Sequence, residues 1–161
     1  MNISNLSFCQ GVTLVTLRNV PCDSGVIGAI FTTIAENGIN VDMISQTAPL
    51  GQAISVAFTI PQDALSQLLP VVNGFKPKCP DLTIELAPGM TKLNFYDENM
   101  VNTPGVAANV FSVLARGHIR VTMITTSTVD ISLLVPEHQE VEALALCREE
   151  YGLEPEELPF S

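Results

Sequence analysis

Two stretches of the chain open with an apolar segment of strand character, Val12, Leu14, Val15 and Leu17 in one and Leu93 to Tyr96 in the other. Each runs into a turn, NVPCDSG or ENMVNTPG, and then into apolar residues at helical spacing. Those residues are Ile27, Ile30, Phe31 and Ile34 in the first stretch, and Ala107, Val110, Phe111 and Leu114 in the second. Ser24 or Asp23 can cap the first helix, and Thr103 followed by Pro104 offers a cap with proline at the first helical position. Gly38 and Gly117 supply the residue that tolerates a left-handed backbone at the helix ends. Strands are predicted next over Ile39–Gln46 and Ile119–Thr126, then over Ala53–Ile60 and Val129–Val135, each of the latter stopped by a proline, Pro61 or Pro136. Second helices follow, Gln62 to Val72 and Glu137 to Tyr151, and Pro70 is expected to distort the end of the earlier one.

The parallel between the stretches is a repeat. Residues 24–47 align without gaps to residues 104–127, and eight of the twenty-four positions are identical: Gly25/Gly105, Val26/Val106, Phe31/Phe111, Ala35/Ala115, Ile39/Ile119, Val41/Val121, Met43/Met123 and Ile44/Ile124. With Leu82–Leu86 as a fourth strand, the first unit reads βαββαβ. That order predicts an α+β, ferredoxin-like fold, a four-stranded antiparallel sheet with two helices on one face. The second unit lacks a convincing last strand, whereas Ile3–Cys9 is a spare one. The N-terminal strand is therefore expected to complete the second sheet and interlock the units. The expected boundaries are 10–88 for the first unit, 89–153 with strand 2–9 for the second, and 154–161 as a solvated tail.

Composition narrows the function. Hydrophobic residues make up 47% of the 161 and charged residues 15%, enough apolar material for a core. Net charge is −10, with 7 Lys and Arg against 17 Asp and Glu, which opposes binding to nucleic acid or an anionic membrane. The first ten residues have neither the basic flank nor the apolar run of a signal peptide. Cys9, Cys22, Cys79 and Cys147 are scattered and read as reduced thiols in a cytoplasmic protein. Three common uses of the fold fail on the residues. Strands 12–18 and 53–60 carry only Phe58 where an RNA binder needs an aromatic platform, and the chain lacks that binder's basic surface. The loop VPCDSG has one cysteine where a metallochaperone needs two. It has Asp23 where an acylphosphatase needs a phosphate-cradling arginine. No Cys/His or carboxylate pair suggests catalysis, no metal site or cofactor is expected, and His118 and His138 read as surface residues.

The runs GVIGAIFTTIAENGINVDMISQ, NTPGVAANVFSVLARGHIRVTMITTSTVDISLLV and MISQTAPLGQAISVAFTIPQDAL resemble the two regulatory ACT domains of aspartokinases, over roughly residues 3–153. The resemblance implies an allosteric module without the kinase domain, sensing free lysine or threonine. It implies a homodimer, with a catalytic kinase subunit as a further partner. A structural ACT module that only assembles is the alternative.

In the first unit the candidate ligand loop is Asp23, Ser24, Gly25, Val26 and Ile27, where N–H groups at a helix start suit a carboxylate and Gly25 permits close approach. An ammonium needs acceptors, and the resemblance assigns Asn40, Val41 and Asp42 on the next strand to ligand contact, with Gln46 further along. On generic grounds Ser24 is a cap and Asp42 a solvated carboxylate. Alternation would send Asn40, Asp42, Ile44 and Gln46 to one face and Ile39, Val41 and Met43 to the other. The second unit's weaker equivalent is Thr103, Pro104, Gly105, Val106 and Ala107, with Arg120 and Val121 on the strand and Ser127 and Thr128 at the turn. Arg120 stands where the family has asparagine, and Thr122 stands at the position of Asp42.

Overall fold

The computed structural model describes residues 3–160. The chain divides into two compact modules. The first is residues 11–88, and the second joins residues 3–10 to 89–160. Asn2, placed above on the N-terminal strand, and Ser161, placed in the tail, lie outside the described residues.

The first module takes the C-terminal part of β1 (Asn5–Pro21), then α1 (Ser24–Glu36), β2 (Ile44–Gln46), β3 (Ala53–Pro61), α2 (Leu65–Phe75) and the start of β4 (Thr83–Tyr96). Its strand order is β2-β3-β1-β4, with β3 antiparallel to both β1 and β2. Alternate residues of β3, namely Ile54, Val56, Phe58 and Ile60, join Val15 and Leu17 of β1 beneath Ile30 and Ile34 of α1 and Leu68, Val71 and Val72 of α2. One sheet face and two helix stripes thus make one core, as strand and helix periodicity require.

The second module repeats the plan with the first part of β1, the rest of β4, α3 (Val106–Arg116), β5 (Met123–Thr126), β6 (Asp130–Pro136) and α4 (Glu140–Tyr151). Its order is β1-β4-β6-β5, and Ile3, Leu6, Leu93, Phe95, Val110 and Leu144 share its core. The spare N-terminal segment is built into this module. It is not a separate strand: it runs on through residue 21 as one strand of 17 residues, and the segments expected at 82–86 and 93–96 are one strand of 14. Gly11 and Gly89, each at φ +68°, stand where these long strands pass from one module to the other.

Several local expectations are corrected. β2 covers only Ile44–Gln46 and β5 only Met123–Thr126. In the first case Asp42 N–H donates to Thr59 O while Thr59 N–H donates to Met43 O, so two residues oppose one in a bulge. The bulge breaks the expected alternation: Ile44 pairs with Phe58 and Gln46 with Val56, on the core side of β3. Helix α2 continues through Pro70 to Phe75, because the ring lies on the exposed side while Leu68, Val71 and Val72 hold the turn in the core. The α3 cap is Gly105 (φ 91°), with no side chain capping; Thr103 Oγ1 instead donates to Asn99 O at 2.9 Å. Gly117 is not left-handed; His118 is, at φ 52°. Gly117 serves another need, since a Cβ there would come within 2.6 Å of Leu146 Cδ1. The tail is not merely solvated: β7 (Glu156–Glu157) pairs parallel with Ser7 and Phe8 of β1.

Candidate functional site

The loop between β1 and α1 is built by its own aspartate. Asp23 is the N-cap of α1, and its carboxylate accepts the Gly25 N–H at 2.7 Å. Its carbonyl accepts the N–H groups of Val26 at 3.1 Å and Ile27 at 3.2 Å. Of the donors expected to receive a ligand carboxylate, those of Gly25, Val26 and Ile27 are therefore already bonded, and the side chain that caps this helix start is acidic. Gly25 makes room for the cap, because a Cβ there would stand 3.1 Å from Asp23 Oδ1. Asp23, Ser24 and Gly25 are exposed, whereas Val26 and Ile27 lean on the core. A polar group of the opposite sign, an ammonium, suits this carboxylate better than an anion does.

The loop is tied to the β2–β3 hairpin by the Cys22 N–H, which donates to Gln52 O at 2.8 Å. An open crevice of about 500 Å³ lies beside it, lined by Asn19, Pro21, Gln52, Ala53 and Asp81. Asn19 holds φ 59° where the β1–β3 register shifts between Leu17 and Val20. Nothing in the apolar pattern marks Asn19 or Gln52; only the hairpin's return to the β1 end does.

The strand-borne candidates lie elsewhere. Asn40 is exposed, Val41 packs on the core, and Asp42 is half-buried with its N–H on Thr59 O at 3.2 Å. Pro21, two residues before the cap, pairs with Ala53, so Asp42 and the helix start are six β3 residues apart. At ~3.3 Å per residue that is roughly 20 Å. One module does not bring Asp23 and Asp42 to one small ligand. Gln46, exposed and opposite Val56, is nearer, roughly 10 Å along the strand by the same rise.

In the second module Val106 is buried and Ala107 packs on the core. Gln139, unmarked in the sequence, secures the strand start: its Oε1 accepts the Arg120 N–H at 2.8 Å and its Nε2 donates to His118 O at 3.2 Å. The Arg120 side chain is exposed, and no ion pair is found for it among the described residues; Val121 packs on the core. Ser127 is committed to its own hairpin, its Oγ donating to Asp130 Oδ1 at 2.6 Å and accepting from Val129 and Asp130 N–H; Thr128 is exposed. Among the described residues no His, Cys, Asp and Glu group could hold a metal ion, and no helix is long and apolar enough to cross a membrane.

Two βαββαβ modules, each with a turn-and-helix start beside a short edge strand, define a class: the ACT domain model matches residues 18–71 and 95–151, and the chain belongs to the ACT domain family. Within that class it is similar to aspartokinases. It is 32% identical over 151 residues to the aspartokinase of Bacillus sp. (strain MGA3), covering 94% of this chain and 37% of that protein. It is 32% identical over 154 residues to the Geobacillus stearothermophilus aspartokinase, covering 96% and 37%. The chain thus spans a little over a third of these curated relatives. Against the ligand-free regulatory subunit of aspartate kinase from Thermus thermophilus the TM-score is 0.83 at 26% identity, covering 92% of this chain and 98% of that one. The Synechocystis aspartate kinase gives 0.86 at 28% identity, with 93% of this chain and 27% of that chain covered.

Proposed function

We propose that this chain is the effector-sensing part of an aspartate kinase system, binding free lysine or threonine, catalysing nothing itself and controlling a catalytic kinase partner. The observation that carries this is the correspondence with almost the whole of a kinase regulatory subunit. A cytoplasmic setting fits four cysteines that form no disulfide.

The geometry adds how the ligand would be held. Asp23 presents an exposed carboxylate, the natural partner of an effector's ammonium. Since Asp42 and its neighbours lie far along the same module, the rest of the site comes from a second module. A two-fold homodimer pairing the β2 edges does this, because residue i of one copy meets residue j of the other and the reverse holds too. Ile44 on that edge is 52% exposed and would be covered. Coupling of about 1–3 kcal/mol to a kinase is typical of such regulation.

Isothermal titration calorimetry with lysine, threonine and the other common amino acids tests the reading. Asp23→Asn keeps a good helix cap but removes the charge, so binding should weaken at least tenfold without loss of folding. Flat titrations across all amino acids would overturn it. They would favour the assembly-only alternative, which has its own support in the second module, where Gln139 and Ser127 satisfy the strand start and hairpin internally. Light scattering with and without amino acids separates the two.

A further inference from the structure

The C-terminal tail marks an interaction surface that the reading above does not use. β3 pairs with β1 only from Val12 onward. Further back, β1 carries the tail: Ser7 pairs with Glu156 and Phe8 with Glu157, and the Leu158 N–H donates to Phe8 O at 2.8 Å. The ladder is only two residues long. Its approach is better anchored, with Leu153 against the core and Pro155 buried. The Arg148–Glu154 ion pair at 3.1 Å is exposed and adds little. Leu158 remains 42% exposed, and Gly152, at φ 65°, turns the chain from α4 into the tail.

An uncovered strand edge offers a row of backbone donors and acceptors to any extended segment. A tethered segment reaches it at an effective concentration of about millimolar, so a weak ladder suffices in cis. We propose that the β1 edge at Ser7–Phe8 is a strand-docking surface, held in cis by residues 156–158, and that the tail of a second copy takes the same place when the resident tail is displaced. A second copy is the fitting occupant because its tail carries the identical Leu-Glu-Pro-Glu-Glu-Leu segment, and exchange of an identical element needs only a hinge, here Gly152.

The test uses isotope-labelled protein and amide chemical shifts of residues 5–9. One variant ends at Leu153; the other is full-length Leu158→Pro, which removes the N–H that Phe8 accepts and covers the case in which truncation prevents folding. A synthetic peptide of residues 153–161 should return the variants' shifts toward those of the intact chain, and a scrambled peptide should not. Unlabelled intact chain should do the same in trans at high concentration. The intact labelled chain should resist the peptide until roughly millimolar concentration. Folded variants that ignore both peptide and intact chain would overturn the proposal, as would equal response of the intact chain at low peptide concentration.

Discussion

The two modules share one sheet-and-helix plan, and a third of the positions aligned between residues 24–47 and 104–127 are identical, yet the modules are held differently. The second is cross-tied by side chains. Glu140, 9% exposed, accepts from Gln10 Nε2 and Thr91 Oγ1, both at 2.7 Å. Tyr151 donates to Asn109 Oδ1 at 2.7 Å, Arg116 meets Glu150, and Gln139 pins the β5 start. The first module has Ala64 where Gln139 stands in the turn after the proline, and an open crevice of about 410 Å³ lined by Thr33, Asn37, Pro70, Val71, Gly74, Phe75 and Lys78. In the second module the position of Asn37 is Gly117, and Leu146 closes over it. One duplicated scaffold therefore carries buried side-chain ties in one module and, in the other, an open crevice, an exposed Arg18–Glu85 pair and an acidic helix start.

That contrast can be broken most severely at Glu140. Glu140→Ala leaves the fully buried Thr91 hydroxyl without its acceptor, and should cost about 3 kcal/mol in urea unfolding, since hydrogen bonds to a charged group contribute about 1.5–3 kcal/mol each. A smaller effect appears at high pH. Burial pushes the Cys147 thiol from 9.0 up to about 12 and also raises the Tyr151 hydroxyl, so the folded second module holds protons that the unfolded chain releases. The stabilisation is complete below pH 9 and lost as pH rises from there toward 12. The melting temperature should fall by several degrees over the first part of that range, and less in Cys147→Ala, if the ties are where the molecule weakens.

Two glycines sharpen the contrast by opposite signs. Gly117→Ala drives a Cβ into Leu146 and should destabilise by about 1–2 kcal/mol. Gly28→Ala, where the second module has Ala108, meets nothing within 4 Å and should stabilise α1 by about 0.5–1 kcal/mol. Last, Thr13 in the first module is fully buried with Oγ1 unpartnered. Thr13→Val should stabilise by about 1 kcal/mol by calorimetry, because it removes a desolvated hydroxyl that bonds to nothing.

Much of this was legible before the fold. The repeat, the helical stripes of Ile30 and Ile34 or Val110 and Leu114, and the N-terminal segment's place in the second module all followed from residue pattern. Asp23 was one of two capping options, and only the backbone geometry chose it over Ser24. That Asp23 itself takes the Gly25, Val26 and Ile27 donors had no sequence signal, because a loop that caps its own helix and one left open can carry the same residues. Gln139 carried no signal, since its partners are the backbone of His118 and Arg120, and any residue there would present the same groups.

By itself the sequence determined the repeated strand–helix order and the helix stripes of Ile30 and Ile34 or Val110 and Leu114 that face each core, because strand and helix periods are written within a few residues of chain. Tertiary structure alone decided that β1 and β4 run through both modules, that a bulge at Asp42 and Met43 re-aims the β2 edge, and that the tail lies on Ser7 and Phe8. Those outcomes depend on which backbone group stands opposite which. Every residue but proline carries the same donor and acceptor, so only the register of strands distant in sequence can make that choice.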